Sequence, residues 1–428
     1  MKKYEVVYEK IKKDILEGYL VKGNSIPSIR QSCQTFSMSQ TTIEKAYDKL
    51  VVEGYIKSIP QVGYIVRFSR EQIQLHKEIE KAQQKSLEIQ YPYDFRMHSV
   101  SQDSFEIHTW KRYLKDVMDN KQSLSKYGDA QGELELRQAL SRYAYKNRGI
   151  LCHPDQLLIG SNYQSLLFIL CGMMKKNLVI GVEEDTSLQA IKVFESYGYT
   201  IKYLSKTHFM EDLKSSQIDV LYITSACMGV YKKPVSPIMA DELLVYTDSH
   251  HILIIEDDYN GELTYRSSPR QALQSMSIED NVIYLGSFSR LLLPSFRISY
   301  MILNEKYKSL YLENADMYGP TASKIEQLAF VRYISDGYLE KHLRKLKKEY
   351  NKKSVLMETL LKKYTDIPFY LDEAYMAYFN EEIQIDMHAL NEKGIGITKK
   401  EKGIEISFTN ISMEDMEKGI QELVKELK

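Results

Sequence analysis

A series of short apolar, β-rich runs at residues 177–182, 220–224, 252–256 and 282–285, separated by stretches with helical patterning, most constrains the fold of this chain. A strand with one wet face alternates polar and apolar residues, so near-continuous apolar runs read as strands of a parallel sheet covered on both faces. No fixed-period repeat and no low-complexity tract interrupts the alternation. The expected class is α/β with a mainly parallel sheet.

A length of 428 residues implies two or three domains. Residues 71–93 are rich in Gln, Lys and Glu and poor in large apolar side chains, so residues 69–93 read as a solvated linker between a domain at 1–68 and one at 94–428. The net charge is −1 overall, but residues 1–68 carry 11 Lys/Arg against 7 Asp/Glu, a balance of +4 that permits nucleic-acid binding without requiring it. Cys33, Cys152, Cys171 and Cys227 lack metal-ligand spacing and suggest reduced thiols, with no metal site. No leader-like apolar segment follows Met1 and no 18 apolar residues run together, so the expectation is a cytoplasmic protein with no membrane partner.

Tyr4, Val7, Tyr8, Ile11, Ile15 and Leu16 share one face of a helix that Gly18 should stop. A second short helix is expected near Ile26, with Pro27 in its first turn. A third should start at Ser39, a good N-cap, with Ile43, Ala46, Tyr47, Leu50 and Val51 on its apolar face and Gln40, Thr41, Glu44, Lys45 and Lys49 on the polar one. A hairpin follows, turned through Pro60 and Gly63. Three helices and a hairpin suit either a protein-binding module or a groove-reading unit, in which the first turn of the third helix meets base edges and phosphates.

The residues Ile26-Pro27-Ser28-Ile29-Arg30, Ser39-Gln40-Thr41-Thr42-Ile43, Ala46-Tyr47, Leu50, Glu53-Gly54-Tyr55 and Gly63 resemble the winged helix-turn-helix of GntR-type regulators. That resemblance implies double-stranded operator DNA as the partner, with Arg30, Ser39, Gln40, Thr41, Thr42 and Gly63 on it. Lys45, on the polar face of the third helix, joins them as a candidate phosphate contact. Gln40 stands where the family commonly has arginine, which implies weaker phosphate anchoring or a different base preference.

Four further segments resemble the type I aminotransferase-like domain of the MocR subgroup of GntR regulators. They are Tyr127-Gly128-Asp129-Ala130-Gln131-Gly132 with Leu134, Leu136 and Arg137; Arg148-Gly149-Ile150 with Pro154-Asp155-Gln156; Ile255-Glu256-Asp257-Asp258-Tyr259; and Tyr284-Leu285-Gly286-Ser287-Phe288-Ser289-Arg290 through Pro294 and Arg297 to Tyr300. The resemblance implies a pyridoxal 5'-phosphate cradle. Asp257 would hold the ring nitrogen, Tyr259 the phenolic oxygen, and Ser287, Ser289 and Arg297 the phosphate, for which hydroxyls and a permanent cation are suited. On position alone Asp257 could equally be a surface carboxylate or helix cap after a strand, and Arg297 an ordinary salt-bridge partner.

Arg290 occupies the position of the family's Schiff-base lysine, and a guanidinium with a pKa above ~12 cannot lose a proton and attack a carbonyl. No lysine lies between Lys233 and Lys306 to replace it. Other features of the family are also missing: Thr224-Ser225-Ala226-Cys227-Met228 lacks the usual Pro and His-Gln, Asp185, Ser187 and Gln189 replace a Pro, a Tyr and an Arg, Asn162 replaces a small residue of the phosphate turn, and Glu405 takes the place of a substrate-binding arginine. No residue is therefore expected to be catalytic, and the cofactor is expected to bind non-covalently or to be lost. The expectation is a homodimeric regulator whose large domain acts as dimeriser and possible sensor of an unknown small effector. A pyridoxal-phosphate-dependent aminotransferase carrying a DNA-binding domain, or a large domain that only positions two winged helices for partner proteins, stays open.

Overall fold

The computed structural model describes residues 2–69, 71–72, 74–75, 91–96, 105–258, 261–263, 270–372, 376–379, 383, 385–399 and 403–427. The chain divides into two compact units, Met1–Ile89 and Gln90–Lys428. Among the described residues, no helix is long and apolar enough to cross a membrane.

The first unit is built from α1 (Lys3–Leu16), α2 (Ile29–Phe36), α3 (Gln40–Val52) and a hairpin of β1 (Ile56–Ile59) with β2 (Gly63–Val66). Val7, Tyr8, Ile11 and Ile15 of α1 and Ile43, Ala46, Tyr47 and Leu50 of α3 are buried together, at the helical spacing seen in the sequence. Pro27 lies outside α2, contrary to expectation. Ser28 caps that helix by accepting from the Gln31 N–H at 3.3 Å, and the Pro27 carbonyl instead accepts from the Tyr47 hydroxyl at 2.7 Å. Ser32 lies 2.8 Å from the same hydroxyl, so a buried hydroxyl pair, Ser32 with Tyr47, joins α2 to α3. Gly63 adopts φ +102°, where a side chain would be strained, and this lets the wing turn directly into β2.

The second unit is organised on a seven-stranded sheet in the order β4 (Leu157–Gly160), β10 (Ser299–Ile302), β9 (Val282–Ser287), β8 (Leu253–Asp257), β7 (Val220–Ile223), β5 (Val179–Glu183) and β6 (Thr200–Leu204). Only β10 runs antiparallel to its neighbours. The two-residue β3 (Tyr93–Asp94) pairs with β13 (Ile395–Gly396), so the last residue of the expected linker is already strand. A four-stranded sheet, β11 (Tyr370–Leu371), β12 (Met376–Phe379), β15 (Ile404–Ser407) and β14 (Thr398–Lys399), packs with the helices Tyr338–Tyr364 and Met413–Lys425. The large sheet is apolar on both faces. Ile255, Ile283, Leu285 and Met301 enter one core cluster, while Tyr284, Tyr300 and Ile302 enter another.

Several residues that carried the family resemblance hold the scaffold together. Arg137 donates to the Gly132 carbonyl (2.9 Å) and to Asp129 Oδ2 (2.9 Å), closing the turn of residues 127–132. Arg148, buried, pairs with the fully buried Asp258 through Nε–Oδ2 at 2.6 Å, and Tyr284 donates to the same carboxylate at 2.6 Å. Burial, together with the charge of Asp258, pushes the nearby Glu256 and Glu262 well above the usual carboxylate range.

Candidate functional site

In the first unit, Arg30, Ser39, Gln40, Thr41, Lys45 and Gly63 are all exposed and Thr42 is half-buried. Arg30, Gln40 and Gly63 line one groove between α2, α3 and the wing. Ser39 is the N-cap residue of α3 but caps nothing with its side chain. Its hydroxyl lies 2.8 Å from Thr42 Oγ1 and 3.2 Å from Thr41 Oγ1. The Thr42 N–H donates to the Ser39 carbonyl at 3.0 Å, so it is the Gln40 and Thr41 N–H groups at the start of this 13-residue helix, with three hydroxyls beside them, that can meet an external anion. Lys45 extends over the Tyr4 ring of α1, its ammonium 5.1 Å from the centroid. Sequence reasoning missed Glu44 as a site residue, although its i, i+4 spacing to Gln40 was available. Gln40 Nε2 donates to Glu44 Oε1 at 2.8 Å.

In the second unit the C-terminal ends of β4, β5, β7, β8 and β9 lie along one edge of the sheet, where α/β folds gather ligand groups. Asp257 ends β8 and Ser287 ends β9, on adjacent parallel strands. Tyr222, from β7, donates its hydroxyl to Asp257. Burial raises the Asp257 carboxyl to about 6 even though that hydrogen bond favours the ion, and the neighbouring Asp258 charge adds to the rise. Ser299 on β10 donates to Ser287 Oγ at 3.0 Å, and Ser287 in turn lies 3.4 Å from Ser289 Oγ. Arg290 is half-buried and Arg297 exposed. Tyr259 lies outside the described residues.

The positions that depart from the family pattern form contacts of their own. Asn162 takes the N-cap of the helix Tyr163–Met173 and accepts from the Ser165 N–H at 2.7 Å, occupying a donor that a phosphate could otherwise use. The Tyr163 hydroxyl donates to Gln189 Oε1 at 2.8 Å and lies 3.0 Å from Ser187 Oγ. Asp185, two residues before Ser187, pairs with Lys206 at 2.5 Å and Lys232 at 2.8 Å. Burial opposes ionisation of both Asp185 and Lys232, yet their pairing lowers the former and raises the latter. Folding therefore brings two lysines close to the strand-end edge, which their sequence distance from Arg290 concealed. Glu405 sits on β15 opposite Tyr378, whose hydroxyl donates to buried Asp372 at 2.9 Å. Its charge, with those of Asp372 and Glu183, adds to the burial that pushes the Cys227 thiol upward.

Two family models and several known proteins match the chain. Residues 3–66 match the family "Bacterial regulatory proteins, gntR family", and residues 99–428 match "Aminotransferase class I and II". The Uncharacterized HTH-type transcriptional regulator YdeL of Bacillus subtilis is 28% identical, the match covering 98% of this chain and 96% of that protein. The Uncharacterized HTH-type transcriptional regulator YhdI of the same organism is 31% identical over 83% of this chain and 78% of its own length. The Probable rhizopine catabolism regulatory protein MocR of Rhizobium meliloti is 25% identical over 84% and 77% respectively. Among solved structures, a kynurenine aminotransferase from Pyrococcus horikoshii superposes with a TM-score of 0.68 at 20% identity, covering 84% of this chain and 96% of that one.

Proposed function

The chain belongs to the class I and II aminotransferase family over residues 99–428 and carries a gntR-family domain at residues 3–66, and from these two facts we propose that it is a DNA-binding transcription regulator whose aminotransferase-like domain serves as dimeriser and ligand sensor without transamination. The observation that carries this reading is the complete winged helix-turn-helix of the first unit: a buried α1–α3 core, an exposed polar first turn on α3 and a glycine-turned wing. Relatives that span nearly the whole chain and are named HTH-type transcriptional regulators support it. On this reading we assign the protein to the cytoplasm, in keeping with relatives that are bacterial HTH-type regulators.

The strand-end groups fit pyridoxal 5'-phosphate in part. A half-buried carboxylate lies at the end of β8, two linked serine hydroxyls at the end of β9, and an exposed guanidinium farther along. Asp257, held by Tyr222, would keep a proton on the ring nitrogen. Ser287, Ser289 and Arg297 would bind the phosphate, and Tyr259 is assigned the phenolic oxygen by resemblance alone. When bound, the cofactor supplies an electron-withdrawing ring and, in enzymes, an aldehyde for a lysine. Arg290 supplies a permanent cation at that lysine's place, so it can pair with an anion but cannot form the covalent link. Lys232 is a poor substitute, because its pairing with Asp185 holds the ammonium protonated. Cofactor binding is therefore non-covalent, and the competing aminotransferase reading loses its nucleophile.

We assign a homodimer to the chain on the symmetry of paired operator half-sites and on the wholly exposed Tyr127, an aromatic ring that a second subunit would cover. The test is duplex binding and transaminase activity on one preparation of full-length protein. Specific, salt-sensitive binding with no amino-group transfer supports the reading, and transfer without specific binding overturns it.

A further inference from the structure

The outward face of α3 has an unusual charge for a surface that meets DNA. Gln40, Thr41, Lys45 and Asp48 are exposed and Glu44 and Lys49 are half-buried, so two carboxylates offset two lysines, and both ammonium groups turn back over rings of α1, Lys45 over Tyr4 and Lys49 over Tyr8. A carboxylate facing a duplex is repelled by phosphates and by most of the major-groove edge, where guanine presents N7 and O6 and thymine presents O4, all acceptors. Only the amino groups of cytosine and adenine donate there. Glu44 is thus tolerated in the groove where an amino group meets it and penalised elsewhere.

Glu44 does not act alone. Gln40, one turn earlier and lining the groove with Arg30 and Gly63, donates its Nε2 to Glu44 Oε1 at 2.8 Å. The carboxylate forces this amide orientation, because turning Oε1 toward Glu44 would set two acceptors face to face. One Nε2 hydrogen and the Oε1 lone pairs of Gln40 remain, and Glu44 keeps its second oxygen. A donor beside an acceptor matches the N7 and N6 edge of adenine, and a lone acceptor matches the amino group of cytosine.

We propose that Gln40 and Glu44 are a base-reading pair: Gln40 takes adenine, Glu44 takes the amino group of an adjacent cytosine, and the hydrogen bond between them fixes which atoms face the bases. This rests on the reading that the first unit binds duplex DNA. It goes beyond that reading by making α3 select amino-bearing bases, where an arginine at position 40 would seek the acceptor edge of guanine.

The experiment is selection from randomised duplexes by the full-length protein, repeated with Glu44→Gln, Glu44→Ala and Gln40→Ala, followed by affinities for the selected site and its single-base variants. The native protein is expected to enrich adenine beside cytosine in each half-site and to discriminate at each position by roughly 5- to 150-fold, the range for one well-formed base contact. Glu44→Gln keeps an acceptor for Gln40 and gains a donor, so it should admit guanine and thymine at the cytosine position, retain the adenine preference and bind random duplex no more weakly than the native protein. Glu44→Ala should weaken both preferences, and Gln40→Ala should remove the one for adenine. Selection of the same bases by the native protein and Glu44→Gln overturns the pair while leaving duplex binding intact. Absence of any selected site for the native protein overturns both the pair and the DNA-binding reading.

Discussion

At Asp257, burial raises the carboxyl to about 6 from an ordinary value of 3.8, and the hydrogen bond from Tyr222 only partly offsets this. The sign follows from linkage. The folded state binds the proton more tightly than the unfolded chain, so stability falls as pH rises from about 4 to about 6 and the cost is fully present at neutral pH. At about 1.4 kcal/mol per unit, a shift of about two units amounts to up to about 3 kcal/mol. Asp257→Asn keeps an acceptor for Tyr222 and should therefore stabilise the protein at pH 7 by about 1–3 kcal/mol in urea unfolding, a gain that disappears below about pH 4. The same variant should bind pyridoxal 5'-phosphate more weakly, since an amide cannot hold a ring proton. Equal stabilisation at pH 4 and pH 7 would show that the carboxylate's charge is not the cause. Arg30 and Lys45 give a second expectation at this scale. If each meets a phosphate, alanine at either should weaken all duplexes alike and reduce the salt slope by about 1 for the cation removed. Unchanged binding in both variants would contradict the docking of α3 and the wing.

Two glycines separate strain from packing at the scale of the element. Gly132 has φ +98°, and an added Cβ would lie 2.3 Å from Ile159 Cγ1, at the end of the turn that Arg137 closes. Gly63 has φ +102° with nothing within 4 Å. Gly132→Ala should cost about 2–5 kcal/mol from backbone strain and overpacking together, and Gly63→Ala about 1–2 kcal/mol from strain alone, both read by chemical unfolding. Gly63→Ala should in addition lower duplex affinity, because the wing turn moves. The strands around these turns were legible from apolar runs, and α1 and α3 from their spacing, because a buried face imposes its period directly on the sequence. Pro27 was misread because a proline before an N-cap and one in the first turn look alike in a linear string. The strand-end residues divide the same way. Asp257 and Ser287 were found through the segments that carry the resemblance, whereas Tyr222, Tyr163 and Lys232 reach the edge through contacts between segments distant in the sequence. Tyr222 left one signal, a hydroxyl-bearing ring in an otherwise aliphatic strand.

For the whole molecule, a regulator that reads paired half-sites requires two winged helices in one particle. Light scattering at micromolar concentration should give the mass of a dimer of the 49.9 kDa chain, and a duplex with two half-sites should bind far more tightly than one with a single half-site. A monomer at that concentration would remove the basis for paired reading. Ligand sensing without covalent chemistry, as proposed for the aminotransferase-like domain, depends on Arg290, and its sharpest test is borohydride reduction of the full-length protein in excess pyridoxal 5'-phosphate, followed by peptide mass mapping. The expected result is no stable pyridoxyl adduct on Lys206, Lys232 or any other single lysine of the native protein, together with an adduct at position 290 in Arg290→Lys. A stoichiometric adduct on one lysine of the native protein would contradict the account.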